Sequence, residues 1–203
     1  MVTTTNPLNS MKKKMFILTG IFFVIFLPCL ILYFVFNRSF LLSLSITFGT
    51  ILYHFLMRLL VGFFIDGIFH NKINYRLKIF SPRPFEKKLY KFLRVKKWKA
   101  FMPTFDPDTF DISKHPLEEL VMASCQAEVV HTAICVLSFL PILGTVFFGS
   151  FLVFLLTSIF AFLIDLCFVI MQRFNRPRLI SAIKFKEKST KKTADNRPIE
   201  GLF

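Results

Sequence analysis

The chain has 203 residues, of which 54% are hydrophobic and 29 are Phe, and its mean hydropathy is +0.59. These values exclude an ordinary soluble domain and point to an integral membrane protein. The net charge of +14 is not the footprint of a nucleic-acid binder, because little chain is left over to build a soluble basic fold; it has to be read by position.

Residues 1–14 read as a polar tail ending in Lys12, Lys13 and Lys14. The apolar run 15–36 has the ~20 residues needed to cross a bilayer. It is too long for a cleaved signal peptide and no small-residue cleavage site follows. Pro28 inside it predicts a kink of the kind a helix bundle tolerates. After a short link at 37–39 comes a second run, 40–64, which carries His54 and Arg58.

The next segment, 70–118, is basic. Over residues 70–101 it holds eleven Lys or Arg and one Glu. Phe85, Leu89, Phe92, Leu93 and Trp98 make part of it amphipathic, as expected of chain lying on a membrane surface. Residues 102–116, with Pro103, Pro107 and Pro116, read as turns. Asp106, Asp108 and Asp111 there fit a solvated turn better than a metal site. A third apolar run covers 120–143 and a fourth 146–171, with Asp165 inside the fourth. Pro177 restricts Arg176 to extended backbone, so the last helix is expected to bend or stop there. Residues 183–203 read as a disordered tail.

The expected fold is therefore an all-α integral membrane protein of about four transmembrane helices, with one membrane domain over 15–182. Lys and Arg crowd the N-terminus, the central segment and the tail, while the links near 38 and 144 are nearly uncharged. The positive-inside rule places both termini and the basic central segment in the cytoplasm. Cys29, Cys125, Cys135 and Cys167 lie in apolar runs without metal or disulfide spacing and read as small buried hydrophobes.

Polar groups inside the spans carry the functional signal. At 1.5 Å per residue, Glu128, His131, His54, Arg58 and Asp165 all fall roughly 9–18 Å from the cytoplasmic ends of their spans. A charge at mid-bilayer costs about 2.5–3.5 kcal/mol even on lenient scales, so five such groups are expected to converge on the bundle interior. His54 and Arg58 share one helix face, as do Glu128 and His131. Glu128 can hold His131 in one tautomer, and a neutral imidazole suits removal of a hydroxyl proton. The plainer alternative is interhelical glue, with Glu128 on Arg58 and Asp165 on Arg58 or His54. A zinc site from His54, Glu128 and His131 lacks a metal-binding motif. Ser124, Ser138 and Ser158 lie in no nucleophile elbow. Gln126 points away from Glu128 and is expected to contact another helix.

Two basic clusters flank the mouth. Residues 94–101 supply Lys97, Trp98 and Lys99, and residues 173–179 supply Arg173, Asn175, Arg176 and Arg178. Anionic headgroups would satisfy them, but the choice of Arg also suits bidentate binding of a phosphate-bearing ligand.

Four pieces, taken together, resemble a known family: VKKWK at 95–99; Glu118 followed by Ala127–Glu128 and His131; Pro141; and MQRFNRPRL at 171–179. Over roughly residues 85–182 the chain is similar to the glycosyl-4,4'-diaponeurosporenoate acyltransferases. The resemblance implies a bacterial plasma-membrane enzyme of carotenoid biosynthesis. Such an enzyme moves a fatty acyl group from a thioester donor, acyl-CoA, to a hydroxyl of a glycosylated lipid or isoprenoid, with no further cofactor and no nucleic acid. On this reading His131 is the base, Glu128 orients it and Arg58 stabilises the oxyanion. The basic residues Lys97, Lys99, Arg173, Arg176 and Arg178 hold donor phosphates. The family pattern has a polar residue such as Asn at position 165, so the charge of Asp165 rests on the depth argument, as do His54 and Arg58. Two other readings compete: a membrane methyltransferase or reductase with a phosphate-bearing cofactor, and a non-catalytic assembly partner.

Overall fold

A computed structural model describes residues 11–105 and 108–195, so Asp106 and Pro107, the first ten residues and the last eight lie outside the described part. The described chain is helical, without strands, and four of its helical stretches are long and apolar enough to cross a membrane. These are α1 (Met11–Phe36), α2 (Ser39–Phe69), the stretch Leu117–Phe148 and the long terminal helix. Between α2 and the third stretch lie two short helices, α3 (Glu86–Phe92) and α4 (Val95–Trp98). The third stretch consists of α5 (Leu117–Leu137), a 3-10 turn (Leu140–Gly144) and α6 (Thr145–Phe148). The last element is α7 (Phe151–Asp195).

α1 and α2 form a hairpin. Asn37 makes the turn in the left-handed region, which Asn tolerates because its side chain can bond locally. The two helices approach closely at Gly49, where an added Cβ would sit 2.9 Å from the Phe26 ring. Phe22–Phe55 and Phe16–Phe63 ring pairs continue that seam. Met15 is the one buried residue of α1, so nearly the whole helix presents apolar surface outward, as lipid contact allows.

α5 and α7 run antiparallel and form the centre of the bundle, with α2 against both. Ser124 on α5 bonds the Gln172 carbonyl on α7, and Cys135 on α5 approaches the Phe162 carbonyl. These two contacts mark the register along the pair. The chain after α2 wraps α5: Ile73 and Phe80 pack on Cys125, with Tyr75 and Val129 at the edge. Its turn is held by Gln126, which accepts from the Asn71 N–H at 2.7 Å and donates to Asp66 at 2.8 Å. Gln126 thus contacts another helix, as its position on α5 suggested. The basic segment 76–101 folds into turns and short helices that leave Leu77, Ile79, Phe85, Phe92 and Phe101 exposed.

The element boundaries differ from the sequence reading in three places. α2 continues to Phe69 instead of fading near 64. The third span is interrupted, because Pro141 has no N–H to continue α5 and the chain turns into a 3-10 stretch. α7 does not stop at Pro177 but runs on to Asp195, so residues 183–195 are helical. The pull of Pro177 toward extended backbone is overridden at Arg176, whose side chain is locked into the bundle (below). At 45 residues α7 is about 67 Å long, roughly twice the hydrocarbon thickness of a bilayer, so its basic end projects well beyond it.

Candidate functional site

Asp165 on α7 is fully buried and lies between two helices. One carboxylate oxygen, Oδ2, accepts from Arg58 Nη2 on α2. The other, Oδ1, accepts from His131 Nδ1 on α5 at 2.9 Å. The imidazole stacks on Phe168 with ring centroids 4.5 Å apart and planes 8° from parallel. Arg58 also donates to the carbonyls of His54 at 3.0 Å and Ala161 at 3.3 Å, so the backbones of two helices hold it. The result is a chain, Arg58–Asp165–His131, across three spans. The arginine sets an opposite charge against the buried carboxylate. With the carboxylate as acceptor, Nδ1 carries the ring proton in this contact. Nε2 is then a lone-pair acceptor, and among the described residues it has no protein partner.

Glu128 is not the partner of His131. It lies 2.6 Å from Arg173 Nη1 and 2.6 Å from Arg176 Nη2. Arg173 in turn donates to Glu86 from Nε at 2.9 Å and from Nη2 at 2.6 Å, and to the carbonyls of Ile79 and Ser81. The Tyr90 hydroxyl donates to Glu86 at 2.8 Å. Burial, and next the bond to Glu86, push the Tyr90 phenol well above its ordinary value. Arg176, 1% exposed, reaches the carbonyls of Ser124 and Phe80 and lies over the Phe80 ring. The contact of Arg176 with Glu128 is an ion pair without well-directed hydrogen-bond geometry, and Arg176 Nε has no partner. Two carboxylates and two guanidiniums therefore neutralise one another and pin the wrapping segment to α5 and α7. The physical reason is register: α5 and α7 set His131 opposite Asp165, while Glu128, one turn nearer the basic end, falls within reach of two long arginines. Arg173 and Arg176 each have carboxylate partners inside the protein. Arg58 is likewise engaged by Asp165 and by backbone carbonyls.

His54 shares a face with Arg58 and is 5% exposed, yet neither ring nitrogen has a hydrogen-bond partner; the buried Ser158 hydroxyl is also unpartnered. The structure brings His131, Asp165 and Arg58 together, and places Glu128 and His54 next to that chain without joining it. Among the described residues no three His, Cys, Asp or Glu side chains are grouped to hold a metal ion.

The remaining cations gather one turn farther along α7. Lys99 Nζ donates to Asn175 Oδ1 at 2.8 Å. Lys99 and Arg178 both lie over the Phe174 ring, at 5.1 and 4.1 Å. Burial, then Arg178 and Lys96, hold the Lys99 ammonium below its ordinary value. Beside them is a cavity of about 360 Å³ lined by Phe110, Ile112, Leu120, Ser124, Gln172, Asn175, Arg178 and Leu179. Trp98 closes the α3–α4 turn through its indole N–H on the Leu93 carbonyl. Lys97 is exposed and belongs to neither cluster among the described residues. A second cavity, about 450 Å³ and apolar, lies farther along the α5–α7 seam between Cys135, Phe139, Phe162 and Leu166.

The sequence reading missed Glu86, although a single acid among eleven cations was a visible signal. It placed Asp165 among the converging groups without pairing it with His131, which the structure does.

The four apolar helices and the polar chain buried between three of them define a multi-pass helical membrane protein. The family model for glycosyl-4,4'-diaponeurosporenoate acyltransferase matches residues 76–185, more than half of the chain, and the chain belongs to that family of carotenoid-biosynthesis acyltransferases. The match covers His131, Asp165 and both arginine clusters and leaves out α1 and all of α2, including Arg58. No curated protein and no solved structure matches the chain.

Proposed function

We propose that this protein transfers a fatty acyl group from acyl-CoA, arriving from the cytoplasm, to a sugar hydroxyl of a glycosylated carotenoid or related lipid. The basic end of the bundle then faces the cytoplasm, as the positive-inside rule requires. His131 Nε2 removes the proton from the acceptor hydroxyl as its oxygen bonds to the thioester carbonyl carbon. The tetrahedral adduct collapses, the carbon–sulfur bond breaks, and the leaving thiolate takes the proton from His131. The ester and the free thiol are the products, and the imidazole returns to its starting state.

Asp165 is the positioning residue. Its negative charge stabilises the imidazolium formed in the first step, the logic that recurs wherever a base is oriented by a buried carboxylate. Arg58 holds Asp165 in place and balances its charge. The observation that carries this reading is the His131–Asp165–Arg58 chain with Nε2 unpartnered. A purely structural ion pair would need Arg58 and Asp165 but no imidazole in one fixed tautomer.

The test is mass spectrometry of lipids from cells expressing the wild type, His131→Ala or Asp165→Asn at matched protein abundance. Acylated glycolipid should vanish with His131→Ala and fall at least about tenfold with Asp165→Asn, the scale seen when an orienting partner is lost. Acylated product from His131→Ala at wild-type levels would remove the base from the proposal.

A further inference from the structure

Resting on the acyl-transfer reading above, we infer that the cavity between Asn175, Arg178, Ser124 and Gln172 is a seat for a 4'-phosphopantetheine arm, and that the arm's length sets the thioester at His131. Three observations support it. First, the mouth carries cations without acids: among the described residues neither Lys99 nor Arg178 has a carboxylate partner, whereas Arg173 and Arg176 both do. Two cations held side by side favour an incoming anion, and the Lys99–Phe174–Arg178 stack holds both in place. Second, the cavity wall mixes amide and hydroxyl groups (Ser124, Gln172, Asn175) with apolar ones (Leu120, Leu179, Phe110, Ile112). Pantetheine alternates in the same way, two amides and a hydroxyl between methyl and methylene groups.

The third observation is length. Asp165, Phe168, Gln172, Asn175 and Leu179 follow one another at three- and four-residue spacing and so form a single stripe on α7. On α5, Ser124 follows Leu120 by four residues and His131 follows Ser124 by seven, two turns on, so the three share a face. From Asn175 to Asp165 is ten residues, about 15 Å along the axis. An extended arm has roughly 13 bonds between phosphorus and sulfur, which at the reach of an extended chain also spans about 15 Å. A phosphate at Lys99 and Arg178 therefore delivers the thioester to the level of the His131–Asp165 pair. Coenzyme A and an acyl carrier protein present the same arm.

The test uses the full-length protein in lipid nanodiscs. Octanoyl-CoA and S-octanoyl-phosphopantetheine should bind at least about tenfold more tightly than S-octanoyl-pantetheine, which lacks the phosphate, as loss of charge-assisted contacts implies. Arg178→Gln and Lys99→Gln, both near the surface, should each remove most of that difference. A phosphopantetheine thioester lacking the β-alanine unit should still bind, but transfer its acyl group to a glycosylated carotenoid at least about tenfold more slowly, because it ends about 5 Å short. Competition between octanoyl-CoA and the octanoyl carrier protein assigns the source of the arm. Equal binding with and without phosphate, or an undiminished rate from the shortened arm, overturns the inference while acyl transfer stands. Phosphate-dependent binding with no transfer from any thioester leaves the site standing and refutes the acyl-transfer reading.

Discussion

Replacing Glu128 with Ala separates the structural account of this residue from the catalytic one that its spacing to His131 invites. Its carboxylate balances Arg173 and Arg176, with side chains 9% exposed for the glutamate and 1% for Arg176. Arg173 keeps Glu86 after the substitution, so the stranded charge is Arg176. Breaking a buried pair from one side costs about 3–5 kcal/mol. For a chain of this size each 1 kcal/mol shifts the midpoint by about 2–4 °C, so a Tm drop on the order of 10 °C is expected. The assay is thermal unfolding in nanodiscs, read by size-exclusion fluorescence, alongside turnover per folded molecule. Glu128→Ala should lose stability while the folded fraction keeps most of its turnover. Glu128→Met combined with Arg176→Met should recover much of the Tm, because neither partner is left charged and alone. An unchanged Tm with abolished turnover would refute the reasoning and return Glu128 to the chemistry.

Other expectations follow from single contacts. Gln126→Leu removes both bonds that hold the turn after α2; it should cost about 1–3 kcal/mol and speed proteolysis between residues 70 and 80. His54→Phe deletes two buried ring nitrogens that lack partners, so it should be neutral or stabilising and keep turnover; loss of turnover at full stability would bring His54 into the site. Gly49→Val drives a branched side chain into Phe26 and should destabilise the α1–α2 hairpin by about 1–3 kcal/mol, seen as a lower Tm. Because its surroundings hold Lys99 below the ordinary lysine value, it loses its charge earlier as pH rises. Donor binding should therefore weaken on going alkaline, starting below the usual lysine range, and Lys99→Arg should move that loss to higher pH.

Much of the architecture was readable from residue order. Four apolar runs, the basic segment between the second and third, and ionisable groups at one depth on α2, α5 and α7 all follow from hydropathy and rise per residue. Partner choice follows only in part: Asp165 on Arg58 was one of the pairings the depths allowed and is found, but the partners of Glu128 and His131 were not. Glu128 and His131 share a face, and nothing in their spacing reveals that the α5–α7 register turns one toward Arg173 and Arg176 and the other toward Asp165. That register is marked by Ser124 against Gln172 and Cys135 against Phe162, contacts between segments far apart in sequence. Pro177 shows the same limit from the other side. Its local preference ends a helix, but Arg176 buried beside Glu128 holds the backbone helical. Glu86 was the legible clue left unused: one acid in so basic a segment needs a reason, and the reason is Arg173.

The central claim is that Asp165, not Glu128, holds the base. It is tested most directly by the ring ¹⁵N chemical shifts of His131 in protein labelled at its four histidines, recorded near neutral pH. The account predicts a protonated Nδ1 and a bare Nε2 in the wild type and in Glu128→Gln, with that tautomer lost in Asp165→Asn. A spectrum that changes with Glu128→Gln and survives Asp165→Asn would contradict it.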